Sequence, residues 1–93
     1  MIYEWDPVKA ERNRGKHGVS FDEASTVFRD PFAITFDDPD NSLDERRFIT
    51  IGVSIRQRIL FIAHVDRRVD RVRLISARRA RPSEAHAYQE SRH

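Results

Sequence analysis

Cysteine is absent from the 93 residues, which excludes disulfides and thiolate metal sites. Lysine is scarce, since 15 of the 17 cationic side chains are arginine. No apolar run is long enough to cross a bilayer. The opening Met1-Ile2-Tyr3-Glu4-Trp5-Asp6 lacks the basic and apolar regions of a secretory signal. Internal repeats and linkers are missing too. The expectation is one small domain over residues 1–93 with a single core, in a soluble cytoplasmic protein. The acidic stretch Asp37-Asp38-Pro39-Asp40-Asn41-Ser42 lacks the glycine and distal glutamate of a calcium loop. His86 and His93 share no ligand spacing with each other or with the carboxylates. Neither a metal nor a cofactor is expected.

What the chain does have is charge, at 34% of residues, and it is unevenly placed. Residues 1–45 carry 5 basic against 11 acidic side chains, and residues 46–93 carry 12 against 4, so a net +2 conceals a balance of −6 followed by +8. Solubility alone does not require arginine, because lysine serves it equally well. An anionic partner, nucleic acid or an acidic protein, explains the bias better. The bias peaks in Arg71–Arg81, RVRLISARRAR. As a regular strand this segment places Val72, Leu74 and Ser76 on one face and Arg71, Arg73 and Ile75 on the other. It then delivers Arg78, Arg79 and Arg81 to a junction just before Pro82, a residue suited to the first turn of a helix. Guanidinium forks at such a junction fit phosphate oxygens taken two at a time.

Local signals lay out the remaining elements. Ile2–Trp5 forms a short strand. Asp6-Pro7 starts a helix that runs to about Lys16, with Gly18 as its left-handed end. Ser20 and Glu23 form a capping box, with Val19 and Ala24 as its staple, for a second helix ending at Asp30-Pro31. Alternation over 32–36 and again over 46–54 gives two strands. A turn near Arg56-Gln57 leads into the apolar run 59–65, suited to a strand covered on both faces. Arg67–Asp70 turns into the arginine strand, and a helix over Ser83 to about Ser91 turns Ala85 and Tyr88 inward. The fold class is α+β: a short N-terminal strand, two helices, an antiparallel meander of three to four strands and a C-terminal helix.

Cleaving RNA without a metal requires a base for the 2′-hydroxyl proton, an acid for the leaving 5′-oxygen, and cations for the phosphorane charge. Arg78 and Arg79, joined by Arg73, are candidates for the cationic role. His64, at the end of the apolar strand, and His17 with Lys16, at a helix end, are candidates for moving protons. For each, a structural reading stands beside the chemical one: His64 as a satisfied core residue, Lys16 and His17 as partners of the helix dipole. Glu84 is first a dipole partner of the last helix. Tyr88 either stacks a base or anchors that helix. Arg71 and Arg81 extend the surface available to RNA.

Taken together, these residues resemble a known family. Glu4-Trp5-Asp6-Pro7 with Lys9 and Asn13, then Lys16-His17-Gly18-Val19-Ser20-Phe21 with Glu23-Ala24, Val27-Phe28 and Asp30-Pro31, resemble the first half of BrnT toxins. Arg47-Phe48, Ile51-Gly52 and Ile75-Ser76-Ala77-Arg78-Arg79-Ala80 resemble the second half. Arg81 departs from the pattern, since a threonine capping the last helix is expected there, and so, more mildly, does Gly15. The resemblance implies a toxin of a bacterial type II toxin–antitoxin system, an endoribonuclease of RelE-like fold that cuts RNA and inhibits translation. It implies as well a BrnA-type antitoxin with a ribbon-helix-helix DNA-binding part, the complex acting on operator DNA. Carried over by position, the site residues are Lys16, His17, His64, Arg73, Arg78 and Arg79. Two other readings stand beside this one: a module that binds RNA or DNA without cutting it, and a structural subunit of a repressor complex.

Overall fold

The computed structural model describes residues 1–38, 40 and 45–92. Their order is β1 (Ile2–Glu4), α1 (Pro7–His17), α2 (Phe21–Ser25), a 3₁₀ turn (Thr26–Arg29), β2 (Ile34–Asp37), β3 (Arg47–Val53), β4 (Ile59–Arg68), β5 (Arg71–Arg79) and α3 (Pro82–Ser91). The strands form one sheet in the order β1-β5-β4-β3-β2. β2 to β5 make the expected antiparallel meander, while β1 adds to β5 in parallel, so the sheet has five strands and is mixed. Of the acidic stretch between β2 and β3, residues 39, 41 and 42 lie outside the described residues.

The helix ends follow from local chemistry. Asp6 Oδ1 accepts from the amides of Val8 and Lys9 at the start of α1, and Gly18 closes it at φ 68°. Ser20 Oγ accepts from the Glu23 amide at the start of α2. That helix stops at Ser25, earlier than its spacing suggests, because Ser25 and Thr26 turn their hydroxyls back onto the carbonyls of Asp22 and Glu23. The chain tightens into the 3₁₀ turn instead. Asp30 then accepts from the Phe32 amide, which delays β2 to Ile34 and leaves Phe32 half-exposed.

Two apolar layers sandwich the sheet. Beneath α1 and α2 lie Val19, Phe21, Ala24 and Val27 with Leu60, Ile62, Val72, Leu74 and Ala77 from the strands. Beneath α3, Tyr88 packs with Ile49, Ile51 and Ala63. The central strand β4 contributes to both layers, as its unbroken apolar run requires. Gly52 permits the close approach of the Asp30 corner to β3, since a Cβ there would sit 2.9 Å from both Ala33 Cβ and Val27 Cγ1.

One irregularity decides where the arginines point. Ala63 pairs with Ser76 but His64 pairs with Leu74, so β5 holds an extra residue, Ile75, at a bulge. Beyond it the alternation is inverted relative to a regular strand. Ala77, not Ser76, continues the buried row of Val72 and Leu74. Arg78 thereby joins Arg71 and Arg73 on the α3 side of the sheet, and Arg79 turns to the α1 side.

Candidate active site

The C-terminal end of β5 is held by an amide side chain from α1. β1 pairs β5 only as far as Arg73, which leaves the edge of β5 open beyond that point. Buried Asn13 fills the gap. Its Nδ2 donates to Ala77 O at 2.8 Å and to Val19 O at 3.0 Å, and its Oδ1 accepts from the Ala77 amide at 3.0 Å. Asn13→Ala leaves all three backbone groups unpaired in a dry site. The expected loss, read from chemical denaturation, is about 2 kcal/mol, with the alternative of an unchanged midpoint if water replaces the amide.

The same end of the molecule receives the turn between β3 and β4. Gln57 sits at φ 64° in that turn. Arg58 reaches back with Nη2 to Gly18 O at 3.2 Å, next to the end of α1. Its Nε and Nη2 also grip both oxygens of Glu23, whose carboxylate takes the Ser54 hydroxyl as well. The Arg58 guanidinium, aided by Ser54, holds the buried Glu23 carboxyl below its usual range. Gln57, Arg58, Ile59, Arg79 and Ala80 line a shallow groove at this end. Lys16 is exposed and His17 half-buried on the last turn of α1. Among the described residues no side chain pairs with those of Arg73, Arg79, Lys16 or His17.

Arg78 differs. Its guanidinium lies over the Phe61 ring, 4.0 Å from the centroid, and donates to both oxygens of Glu84 at 2.8 and 2.9 Å. Glu84 Oε1 also accepts from the Arg81 amide at 2.7 Å. Arg81 occupies the position before α3 where a threonine was expected; its own side chain offers no acceptor, and the cap rests on Glu84 alone. Arg71 meets Glu4 at 3.4 Å.

Two expected site residues take structural positions. His64 is 2% exposed and lies four residues along β4 from the partner of Arg79, roughly 13 Å away. Both of its ring nitrogens are engaged, Nδ1 with Asp66 Oδ1 at 2.9 Å and Nε2 with Thr50 Oγ1 at 2.7 Å, and Phe28 and Phe48 cover the ring. It does not join the arginines. Tyr88 is 1% exposed and its hydroxyl donates to Asp30, so no base can stack on it without opening the core. Burial also lifts the phenol to about 12.

Burial lowers the His64 pKa from 6.5, against the pull of Asp66. The folded state therefore holds this imidazole neutral, while the unfolded chain takes up a proton near its ordinary pKa. Stability is full above about 6.5 and falls as pH drops through the lowered folded value. The denaturation midpoint of the wild type is expected to fall between pH 7 and 5, with a shallower fall in His64→Gln. Equal slopes in the two proteins would refute this.

Asn13 and Arg58 carry no role in the sequence reading, whereas Glu23 and Asp30 take other roles than expected: the Glu23 carboxylate binds Arg58 and Ser54 instead of reaching back to Ser20, and Asp30 accepts from Tyr88 and the Val53 amide. The only local signal for Asn13 is a short amide among the charged residues of α1. Among the described residues no three His, Asp or Glu side chains converge to hold a metal ion.

Over residues 5–84 the chain matches the profile of a family described as the ribonuclease toxin, BrnT, of type II toxin–antitoxin systems. The crystal structure of the Brucella abortus ribonuclease toxin BrnT matches with a TM-score of 0.67 at 23% identity, covering 87% of this chain and 99% of that one. At this identity the likeness establishes the shared fold. No curated protein matches the chain by sequence.

Proposed function

From the premise that the chain belongs to the BrnT family of type II toxin–antitoxin ribonuclease toxins, we propose that it cuts RNA at the C-terminal end of β5 without a metal. One observation carries this reading: Arg78 and Arg79 end the strand that Asn13 of α1 grips at Ala77, three and four residues before Lys16 and His17 on the same helix, while Arg73 lies farther back along β5 opposite Val65. RNA lies along the α3 side of β5, with Arg71, Arg73 and Arg81 beside its phosphates. The scissile phosphate sits at the Arg78–Arg79 junction. There, a base removes the 2′-hydroxyl proton, O2′ attacks phosphorus, and the 5′-oxygen leaves with a proton from an acid. The products are a 2′,3′-cyclic phosphate and a 5′-hydroxyl. The arginines stabilise the phosphorane charge. His17 and Lys16 are the proton carriers, since His64 is enclosed.

Family membership supports two further parts of the proposal. The cutting inhibits translation in the cytoplasm, and a BrnA-type ribbon-helix-helix antitoxin neutralises it and brings the complex to operator DNA. The decisive experiment incubates the purified protein with cellular RNA in the presence of chelator and identifies the new ends. Cyclic phosphate with 5′-hydroxyl ends supports the mechanism. Bound but intact RNA, with translating ribosomes also uncut, would leave a binding module.

A further inference from the structure

The contact between Arg78 and Glu84 bears on how the phosphate is held. A guanidinium offers five N–H groups on three edges of a plane. Glu84 takes the edge between Nη1 and Nη2, and Arg79 O takes the remaining hydrogen of Nη1 at 3.1 Å. Phe61 closes one face of the plane. What is left is the side edge, Nε–H with the second hydrogen of Nη2, for which no described residue provides an acceptor. That edge is itself a fork of the width that carboxylates and phosphates fill with two parallel hydrogen bonds.

Glu84 is fixed in turn. It stands in the first turn of α3, where the helix dipole favours an anion, and it accepts from the Arg81 amide. It is therefore tied to the helix on one side and to Arg78 on the other. Both side chains are largely enclosed, at 18% and 23% exposure, so the pair is not a mobile surface contact.

We propose that Glu84 is a positioning residue, which locks Arg78 on Phe61 so that the Nε–Nη2 edge is presented to a phosphate of the RNA. This rests on the ribonuclease reading above and adds to it the device that orients one arginine. It assigns Arg78 to a single bidentate phosphate contact rather than to a diffuse cationic field. It also distinguishes Arg78 from Arg79, whose side chain has no partner among the described residues and meets the RNA without such a lock.

The test compares wild type, Glu84→Gln, Arg78→Ala and the double variant. In Glu84→Gln the amide oxygen still accepts from Arg81, but its NH₂ faces an N–H of Arg78 and releases the fork. The single-turnover cleavage rate is expected to fall about 10-fold, with affinity for an uncleavable 2′-deoxy oligonucleotide changed less than about 3-fold. In the Arg78→Ala background the same substitution should change the rate less than about 2-fold, because its effect passes through Arg78. An equal loss in both backgrounds would overturn the proposal. So would a gain in rate or affinity, which would make Glu84 a competitor of the RNA. A second readout does not depend on cleavage: the Arg78 Nε–H resonance should move when the oligonucleotide binds wild type and stay still in Glu84→Gln. Absence of that shift in the wild type refutes the proposal even if Glu84→Gln loses its fold. Wild-type protein that shows the shift but leaves RNA intact would refute the ribonuclease reading alone.

Discussion

Arg79→Ala should lower RNA cleavage by about 100-fold or more while leaving the fold in place. The size follows from the cost of removing one cationic donor from a developing oxyanion, about two to three orders of magnitude. The stability half follows from position. Arg79 is exposed at the last residue of β5, and no described residue pairs with its side chain; substitutions at such places change stability by within about 0.5 kcal/mol. Rate and thermal midpoint should therefore separate cleanly. Arg79→Lys keeps the charge and loses the fork, so it should recover RNA binding more than rate. The slope of log affinity against log salt should shrink by about one in Arg79→Ala if the residue holds a phosphate. An unchanged slope with unchanged cleavage would remove Arg79 from the site.

Glu23→Gln should cost about 3 kcal/mol, because it strands the Arg58 guanidinium opposite an amide in an enclosed setting. Side-chain exposure is 4% for Glu23 and 15% for Arg58, so solvent screens the pair little. The carboxylate also receives the Ser54 hydroxyl, and Arg58 carries its connection on to Gly18 O. Four chain segments thus meet at one ion pair: the end of α1, the start of α2, and both sides of the β3–β4 turn. For a chain of this length the expected drop in Tm is roughly 15 °C. Replacing both members by apolar residues should cost less than the sum of the single changes. The lowered Glu23 pKa adds a second signature. Stability from this group is complete above its ordinary pKa near 4.5 and is lost as pH falls through the lowered value, an acid limb that Glu23→Gln should lack. A Glu23→Gln midpoint within about 1 kcal/mol of wild type would show that water replaces the pair.

Much of the architecture was legible because its causes are local. Asp6-Pro7, Gly18 and Ser20 act on amides and carbonyls a few residues away, so the bounds of α1 and the start of α2 follow from the sequence. The apolar run of β4 likewise implies cover on both faces. The early end of α2 was harder to foresee, since it depends on Ser25 and Thr26 bonding backward rather than outward. The arginine segment reads as a strand from its sequence, but regular alternation puts Ser76 on the buried face past Ile75, where the structure buries Ala77 instead. A bulge is a property of two paired strands, and the sequence of β5 alone contains no mark of it.

The same distinction separates the candidate site residues. The kinds of chemistry available, guanidinium forks beside a helix carrying lysine and histidine, are written in the sequence and in its family pattern. Which of them meet was decided by tertiary structure. Asn13 and Ala77 are 64 positions apart, and their contact places the end of α1 beside the end of β5. His64, in the middle of β4, is enclosed by Thr50, Phe28 and Phe48, and Tyr88, on the inward face of α3, packs in the layer beneath that helix. The sequence by itself determined the elements, their caps and the arginine-rich junction, since these arise from interactions within a turn or a strand. Tertiary structure alone decided the parallel seat of β1, the face each arginine takes and the enclosure of His64, since those depend on pairing and burial between segments far apart along the chain.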